Sequence, residues 1–286
     1  MSTLRLQYPL TVLCRVLEVS RSGYYAWYIR RPSRRAQENA RLEVAIQAAH
    51  VRTRQTYGPE RLQAELREDG FPAGISRIKR LRKKLGLHCT PVQRFTITTD
   101  SAHHLPVADN RLAQTFTATR PNETWLTDIT YVPTGEGWLY VAGVKDLYTC
   151  EVVGYAMGAR MTTDLVRHAL GSAVGSKRPR PGLLHHSDRG SQYCAHDYQD
   201  QLRQFGMISS MSRKGNCYDN APMESFWGTL KNELVHHRRY TTREQARREI
   251  TEYIEIFYNR QRRHSRLGNR SPAAFAQQWA RQPPAA

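Results

Sequence analysis

Three acidic residues lie in three short, dissimilar stretches: Asp128 in TWLTDITYV, Asp188 in LLHHSDRGSQY and Glu224 in DNAPMESFWGTLKNEL. Asp188 follows Asp128 by 60 positions and Glu224 follows Asp188 by 36. Separation on that scale suits side chains that meet in space from different strands and helices. Three carboxylates held together repel one another unless cations sit between them, so the pattern points to a divalent-metal site. Oxygen ligands suit Mg2+ or Mn2+. The five cysteines, Cys14, Cys89, Cys150, Cys194 and Cys217, contain no Cys-x-x-Cys pair, and the eleven histidines show no zinc-ligand spacing beside them.

The elements that must position these acids follow from periodicity. WLTDITYV alternates as a strand, PTGEG supplies a turn, GWLYVAGVKD forms a second strand and CEVVGYAMGARM a third, an antiparallel meander. TTDLVRHALGSAVG predicts a helix and GLLHHSD a buried fourth strand reached by a crossover. AHDYQDQLRQFG, MISSM and a helix from near Ala221 complete the order strand, strand, strand, helix, strand, helix, strand, helix. That is the order of a ribonuclease-H-like α/β fold with a mixed sheet. Asp128 then falls in the first strand, Asp188 at the end of the fourth and Glu224 in the first turn of the last helix. Asn220 is placed to cap that helix, with Pro222 in its first turn.

Taken one at a time, each acid has a plain structural explanation. Asp128 could be the solvent side of a strand, Asp188 a turn former before Gly190, and Glu224 an acid favoured by a helix dipole. Asp219 is a rival acid outside the helix. Asp146 in VKDLYTC reads as a turn residue, and Ser187, Gln192 and Tyr193 could hold either the Asp188 loop or a ligand.

A formal charge of +18 over 286 residues and a pI near 10.1 favour a polyanionic partner. No run approaches a membrane-spanning segment, so the reading is a soluble cytoplasmic chain, associated with the nucleoid when bound to DNA. Residues 1–120 hold 21 Lys and Arg against 9 Asp and Glu, a net of +12, which marks the first part as the docking region. There TVLCRVLEV, Ser20 to Gly23 and YYAWYIRR read as helix, turn, helix, with Arg21, Arg30 and Arg31 toward DNA. RLEVAIQAAHVR and PERLQAELRED predict two further helices. SRIKRLRKKLGL predicts another, capped by Ser76, in which Arg77, Lys79, Arg80, Arg82, Lys83 and Lys84 surround an Ile78, Leu81, Leu85 stripe and would contact phosphates. Cys89 to Asn122 reads as linker. The last fifty residues predict a long amphipathic helix whose Ile250, Tyr253, Ile254 and Phe257 pack on the core, then a basic QRRHSR cluster suited to phosphate, with Pro272 closing the ordered part. The resulting division is 1–35, 40–90, a linker over 91–121, a core over 122–235 and an extension over 236–286.

The three acid-bearing stretches resemble the catalytic motifs of the Asp-Asp-Glu transposases in the retroviral-integrase superfamily. VLEVSRSGYYAW, YGPERLQAELREDG and YNRQRRHSRLGNRSPAAF further resemble the OrfB-type transposases of bacterial insertion sequences, so the likeness runs from residue 11 to 276. The resemblance implies DNA cleavage and strand transfer at element ends, with Asp128, Asp188 and Glu224 holding two Mg2+ or Mn2+ ions. It implies a phosphate contact for Lys231, double-stranded DNA as partner, self-association on DNA, and an upstream OrfA-type product or fusion. Two alternatives stay open: a catalytically inert DNA-binding regulator and a ribonuclease-H-type nuclease.

Overall fold

Caps set the helical first third. The computed structural model describes residues 4–90, 105–213 and 217–281. After α1 (Leu10–Val16), the Ser20 hydroxyl accepts from the Gly23 N–H to start α2 (Arg21–Tyr28), and a Cβ at position 23 would lie 2.8 Å from that hydroxyl. Ser33 caps α3 (Arg34–Arg52) in the same way. Pro59 opens α4 (Pro59–Glu68), where its missing N–H costs nothing, and Gly70 ends the helix at φ +81°. The basic helix α5 (Ile75–Lys84) begins two residues earlier than a Ser76 cap would start it. Gly74, not Ser76, is the N-cap, and no side chain caps it. Helices α3, α4 and α5 enclose a small core of Leu42, Ile46, Tyr57, Leu62, Leu66 and Ile78.

Strand β1 (Thr124–Thr134) turns into β2 (Gly137–Asp146) and β2 into β3 (Val152–Gly158), each pair antiparallel. Helix α6 (Thr163–Lys177) crosses to β4 (Leu184–Ser187), which lies parallel to β1 on its other side. Helices α7 (Ser191–Cys194) and α8 (His196–Gln204) lead to β5 (Ile208–Met211), parallel to β4. The sheet order β3-β2-β1-β4-β5 is the mixed ribonuclease-H-like arrangement the sequence predicts. Helix α6 covers one face and approaches closely because β3 offers Gly154, where a Cβ would fall 2.4 Å from the Ala173 nitrogen. The other face is covered by α9 (Ala221–Glu233) and α10 (Arg243–Glu252).

The C-terminal part differs from expectation in three ways. The amphipathic helix changes to π-helical winding over Tyr253–Gln261, although Ile250, Tyr253, Ile254 and Phe257 are buried on the core as expected. Within that segment the Asn259 amide accepts from the Val152 N–H and donates to the Val152 carbonyl, 3.0 Å each, pairing with the edge strand β3. Pro272 starts another helix, α11 (Pro272–Arg281), instead of closing the ordered part. The QRRHSR cluster is not a free basic surface, since Arg262 and Arg263 are buried in ion pairs. The stretch read as linker carries no regular element over residues 105–121, yet it packs: Leu112 is buried, with Phe116 and Ala118 against the same core. Residues 91–104 of that stretch lie outside the described residues. Among the described residues no helix is long and apolar enough to cross a membrane.

Candidate active site

The parallel pairing of β1 with β4 brings the two aspartates together. Thr124, Trp125 and Leu126 face Leu184, His185 and His186, an offset of 60 residues. Asp128 and Asp188 are separated by the same 60, so each lies two residues beyond the last paired positions of its strand, and the Asp188 charge acts on Asp128. Adjacent strands lie about 4.8 Å apart. Beyond Leu126 the two strands no longer pair, which leaves a notch in the sheet where both carboxylates sit half-buried. Crevices beyond the carboxyl ends of parallel strands are where ligands enter α/β sheets.

Local hydrogen bonds aim each acid. Asp128 Oδ1 accepts from the Ile129 N–H at 2.8 Å, and Asp188 Oδ1 accepts from the Gly190 N–H at 2.9 Å. A Cβ at position 190 would lie 3.1 Å from that Asp188 oxygen, so glycine leaves the loop room to fold back on the acid. Ser187, Gln192 and Tyr193 hold this loop. The Ser187 hydroxyl donates to the Asp188 carbonyl, the Gln192 amide to the Met161 carbonyl, and the buried Tyr193 hydroxyl meets the Thr127 hydroxyl at 3.3 Å.

Glu224 lies in the first turn of α9, exposed, and the start of that helix is tied to the strand that carries Asp128. Asn220 stands at the N-cap, but its side chain does not cap the helix; its amide donates instead to the Thr127 carbonyl of β1 at 3.0 Å. The buried Lys145 ammonium donates to the Pro222 carbonyl at 2.9 Å. Gly143, opposite Asp128 in the ladder, lets α9 rest on the sheet. A Cβ there would fall 2.8 Å from Met223 Cε and 2.9 Å from the Trp227 ring. Sequence reasoning missed Lys145 and Gly143. The available signals were a lysine and a glycine inside an otherwise apolar strand.

Electrostatics ties the three acids into one group. Burial raises the Asp128 pKa well above the usual carboxylate range, and the Asp188 and Glu224 charges raise it further, against the Ile129 N–H. Desolvation also raises Glu224. The buried Trp227 indole N–H opposes that rise at Asp128, although it falls outside strict hydrogen-bond geometry there. An all-oxygen donor set in which neighbouring carboxylates push up the Asp128 pKa fits a hard divalent cation. Among the described residues, however, no three His, Cys, Asp or Glu side chains are gathered closely enough to hold one ion together. Asp128 and Asp188 form the near pair, with Glu224 within electrostatic reach.

The other candidates fall in distinct places. Asp219 is buried and saturated: it accepts from the Asn110 and Gln114 amides and from the backbone N–H and guanidinium of Arg213, which hold its pKa far below the usual range. It fastens the 105–121 stretch to the loop before α9. Asp146 is a turn residue, accepting from the Asn122 and Thr149 N–H groups. Lys231 is buried, its ammonium 4.9 Å from the centre of the Tyr131 ring, so it is not a surface lysine, and Glu233 is bonded by Arg262. Burial lowers its pKa to about 8 against the pull of Asp128. Arg21, Arg30 and Arg31 are exposed. On α5, Lys79, Arg80 and Lys83 are exposed, whereas Arg77 bonds Asn39 and Lys84 pairs with Glu43 of α3. Arg82 is half-buried, with one nitrogen donating to the Cys89 sulfur.

Comparison with known proteins agrees with this layout. Two integrase core domain models match residues 118–217 and 206–272, and an HTH-like domain model matches 36–95. The chain is 60% identical over 267 residues to the insertion element IS600 uncharacterized 31 kDa protein of Shigella sonnei, covering 93% of this chain and 98% of that one. It is 43% identical over 272 residues to transposase InsF for insertion sequence IS3A of Escherichia coli, covering 94% of each. The chain belongs to the insertion-sequence transposases with an integrase core. A simian T-cell lymphotropic virus intasome, solved with a PP2A regulatory subunit, superposes with a TM-score of 0.49 at 15% identity over 78% of this chain and 72% of that one. As a transposase of this family, the chain keeps its HTH-like part over the α3 to α5 helices and its integrase core over the sheet.

Proposed function

We propose that this transposase cuts DNA at the ends of an insertion sequence and joins those ends to a target by metal-dependent phosphoryl transfer, with Asp128, Asp188 and Glu224 as the ligand carboxylates. The observation that carries the reading is the offset of 60 shared by the β1–β4 pairing and the two aspartates, which supports a common place for Asp128 and Asp188 at the notch, with the Asp188 and Glu224 charges both raising the Asp128 pKa. When bound, Mg2+ or Mn2+, as a pair of ions, supplies activation of the attacking oxygen and stabilisation of the departing one. The chain's own residues do the rest. Asp128 and Asp188 are held at the notch by backbone N–H groups, and the ties from Asn220 and Lys145 keep Glu224's helix against β1. Lys231 brings positive charge beside Asp128 and is assigned a phosphate of the bound strand. Arg21, Arg30 and Arg31 on the first helical pair, with Lys79, Arg80 and Lys83 on α5, contact double-stranded DNA away from the notch. Self-association on DNA and an upstream OrfA-type partner belong to the same reading.

The test uses purified protein, Mg2+ and a duplex carrying the element's own ends. Nicked and strand-transfer products are expected. Asp128→Asn, Asp188→Asn and Glu224→Gln should each abolish them and leave DNA binding intact. Full activity of any one of the three variants overturns the assignment. One observation favours the inert-regulator alternative: among the described residues no three carboxylates are gathered closely enough to hold one ion. Tight DNA binding by the wild-type chain without products would select it.

A further inference from the structure

Two consecutive arginines leave the turn after the π-wound segment in opposite directions. Arg262 points into the core: its Nε and Nη2 donate to both oxygens of Glu233 at 2.8 to 3.1 Å, and the Tyr253 hydroxyl donates to the same carboxylate at 2.7 Å. Glu233 is the last residue of α9, the helix whose first turn carries Glu224. Arg263 points into the second helical module. Its Nε donates to Glu65 at 2.5 Å, its Nη1 and Nη2 donate to Glu68 at 2.9 and 2.5 Å, and its backbone N–H donates to the hydroxyl of the buried Tyr57 at 2.6 Å. Both arginines are buried, so neither is available to a phosphate.

A second contact strengthens the junction. Arg54, in the loop between α3 and α4, pairs with Glu252 at 2.5 Å and lies 4.9 Å from the Phe257 ring centre. To reach it the loop holds Arg54 and Gln55 at φ +57° and +60°, left-handed conformations that side chains rarely adopt and that persist where the surroundings impose them. Burying adjacent guanidinium groups is costly unless every carboxylate partner is in place. Here they are, and all of Arg263's carboxylate partners lie on α4, within an otherwise basic module.

Resting on the reading above, we propose that Arg262 and Arg263 are positioning residues: they bolt the DNA-contacting helical module to the end of the helix that carries Glu224, so that the module's grip on DNA sets which phosphate enters the notch. The two helices are then one rigid ruler. Without the bolt, the module still binds DNA but no longer delivers one phosphate to the acids.

The experiment maps nick positions on an end-bearing duplex, at single-nucleotide resolution, with the full-length protein and Mg2+. Arg263→Met is expected to keep its DNA affinity, to lose rate at the principal phosphate by about a hundredfold, as a misplacement near 1 Å does, and to spread nicks onto neighbouring phosphates. Glu68→Gln, at a largely exposed partner and with the shape of the side chain kept, should spread them in the same way while the protein stays folded at the assay temperature, and Arg263→Lys should partly restore the single position. A purely structural role would lower the yield without moving the nicks. A wild-type nick pattern from folded Arg263→Met and Glu68→Gln, or a lower yield at an unmoved position, overturns this inference and leaves the proposed function standing. An inactive wild-type protein would overturn the proposed function and this inference with it.

Discussion

Asp128→Asn should stabilise the metal-free protein while destroying its activity. Asp128 is half-buried beside Asp188, and its pKa is raised by burial, by Asp188 and by Glu224 in that order. A carboxyl whose folded pKa lies above its unfolded value contributes stability that is present below the unfolded pKa and lost as pH rises through the folded one. Near neutral pH the ionised form therefore costs the fold. Two unit charges about 6 Å apart at an effective dielectric of about 20 repel by about 3 kcal/mol. Partial exposure and salt screening reduce this to about 1 to 2 kcal/mol. Asparagine keeps the shape and removes the charge, which should raise Tm by about 3 to 6 °C. The assay is thermal melting in chelator at pH 8 and at pH 5. The gain should shrink at pH 5, where the wild-type carboxyl is itself increasingly protonated. Added Mg2+ should then stabilise the wild type far more than the variant, because a ligand stabilises only the state that binds it. A variant that melts at or below the wild type at pH 8, or a gain equal at both pH values, would refute the picture of crowded acids.

Gly143→Val places carbon atoms against Met223 and Trp227, where even a Cβ falls under 3 Å. Overpacking should cost about 1 to 3 kcal/mol, and nicking should drop far more than folding because Glu224's helix is lifted from Asp128. A wild-type rate in a folded variant would show that α9 need not rest on β2. Replacing Lys79, Arg80 and Lys83 together by Gln should lower the magnitude of the salt slope of DNA binding by about 2 to 3, at roughly 0.9 per lost phosphate contact. An unchanged slope would remove α5 from the DNA interface. Arg262→Met leaves Glu233 buried without its cation, a loss of about 3 to 5 kcal/mol, read by chemical denaturation. Unaltered stability there would mean the pair is not the tie between α9 and the C-terminal turn.

What the sequence made legible was whatever repeats at short range. The alternation of β1, the meander, the crossover helix and the order of acids all follow from local periodicity, and the sheet agrees with each. The spacing of 60 between the aspartates was visible too, but its meaning was not, because a parallel register is set by contacts across the crossover and no local pattern records it. Asp219 shows the same limit. Its donors include Asn110 and Gln114, more than 100 residues away in a stretch whose polarity reads as linker. Asn220 was read as a cap because that is what a local rule offers an asparagine before a helix, while its amide is used on Thr127 of a distant strand. Ser76 gives way to Gly74 for a smaller reason, since no side chain fixes this helix start and frayed ends shift by one or two residues.

The charge shows most clearly how composition and structure diverge. A net of +18 reads as a general affinity for polyanions, yet several of the cations are already committed to ion pairs within the chain. Arg52 pairs with Glu65 and Asp69, Arg54 with Glu252, Lys84 with Glu43, Arg262 with Glu233 and Arg263 with Glu65 and Glu68. Each of these pairs joins one element to another. Glu43, Glu65, Glu68 and Asp69 are therefore spent on assembly, whereas Lys79, Arg80 and Lys83 stay exposed together on α5. An internal pair is held by its surroundings and resists salt, whereas an exposed cation is screened at moderate ionic strength. Salt should therefore strip DNA from the protein long before it loosens the junction between module and core, and this is the order a device that measures a fixed distance along DNA requires.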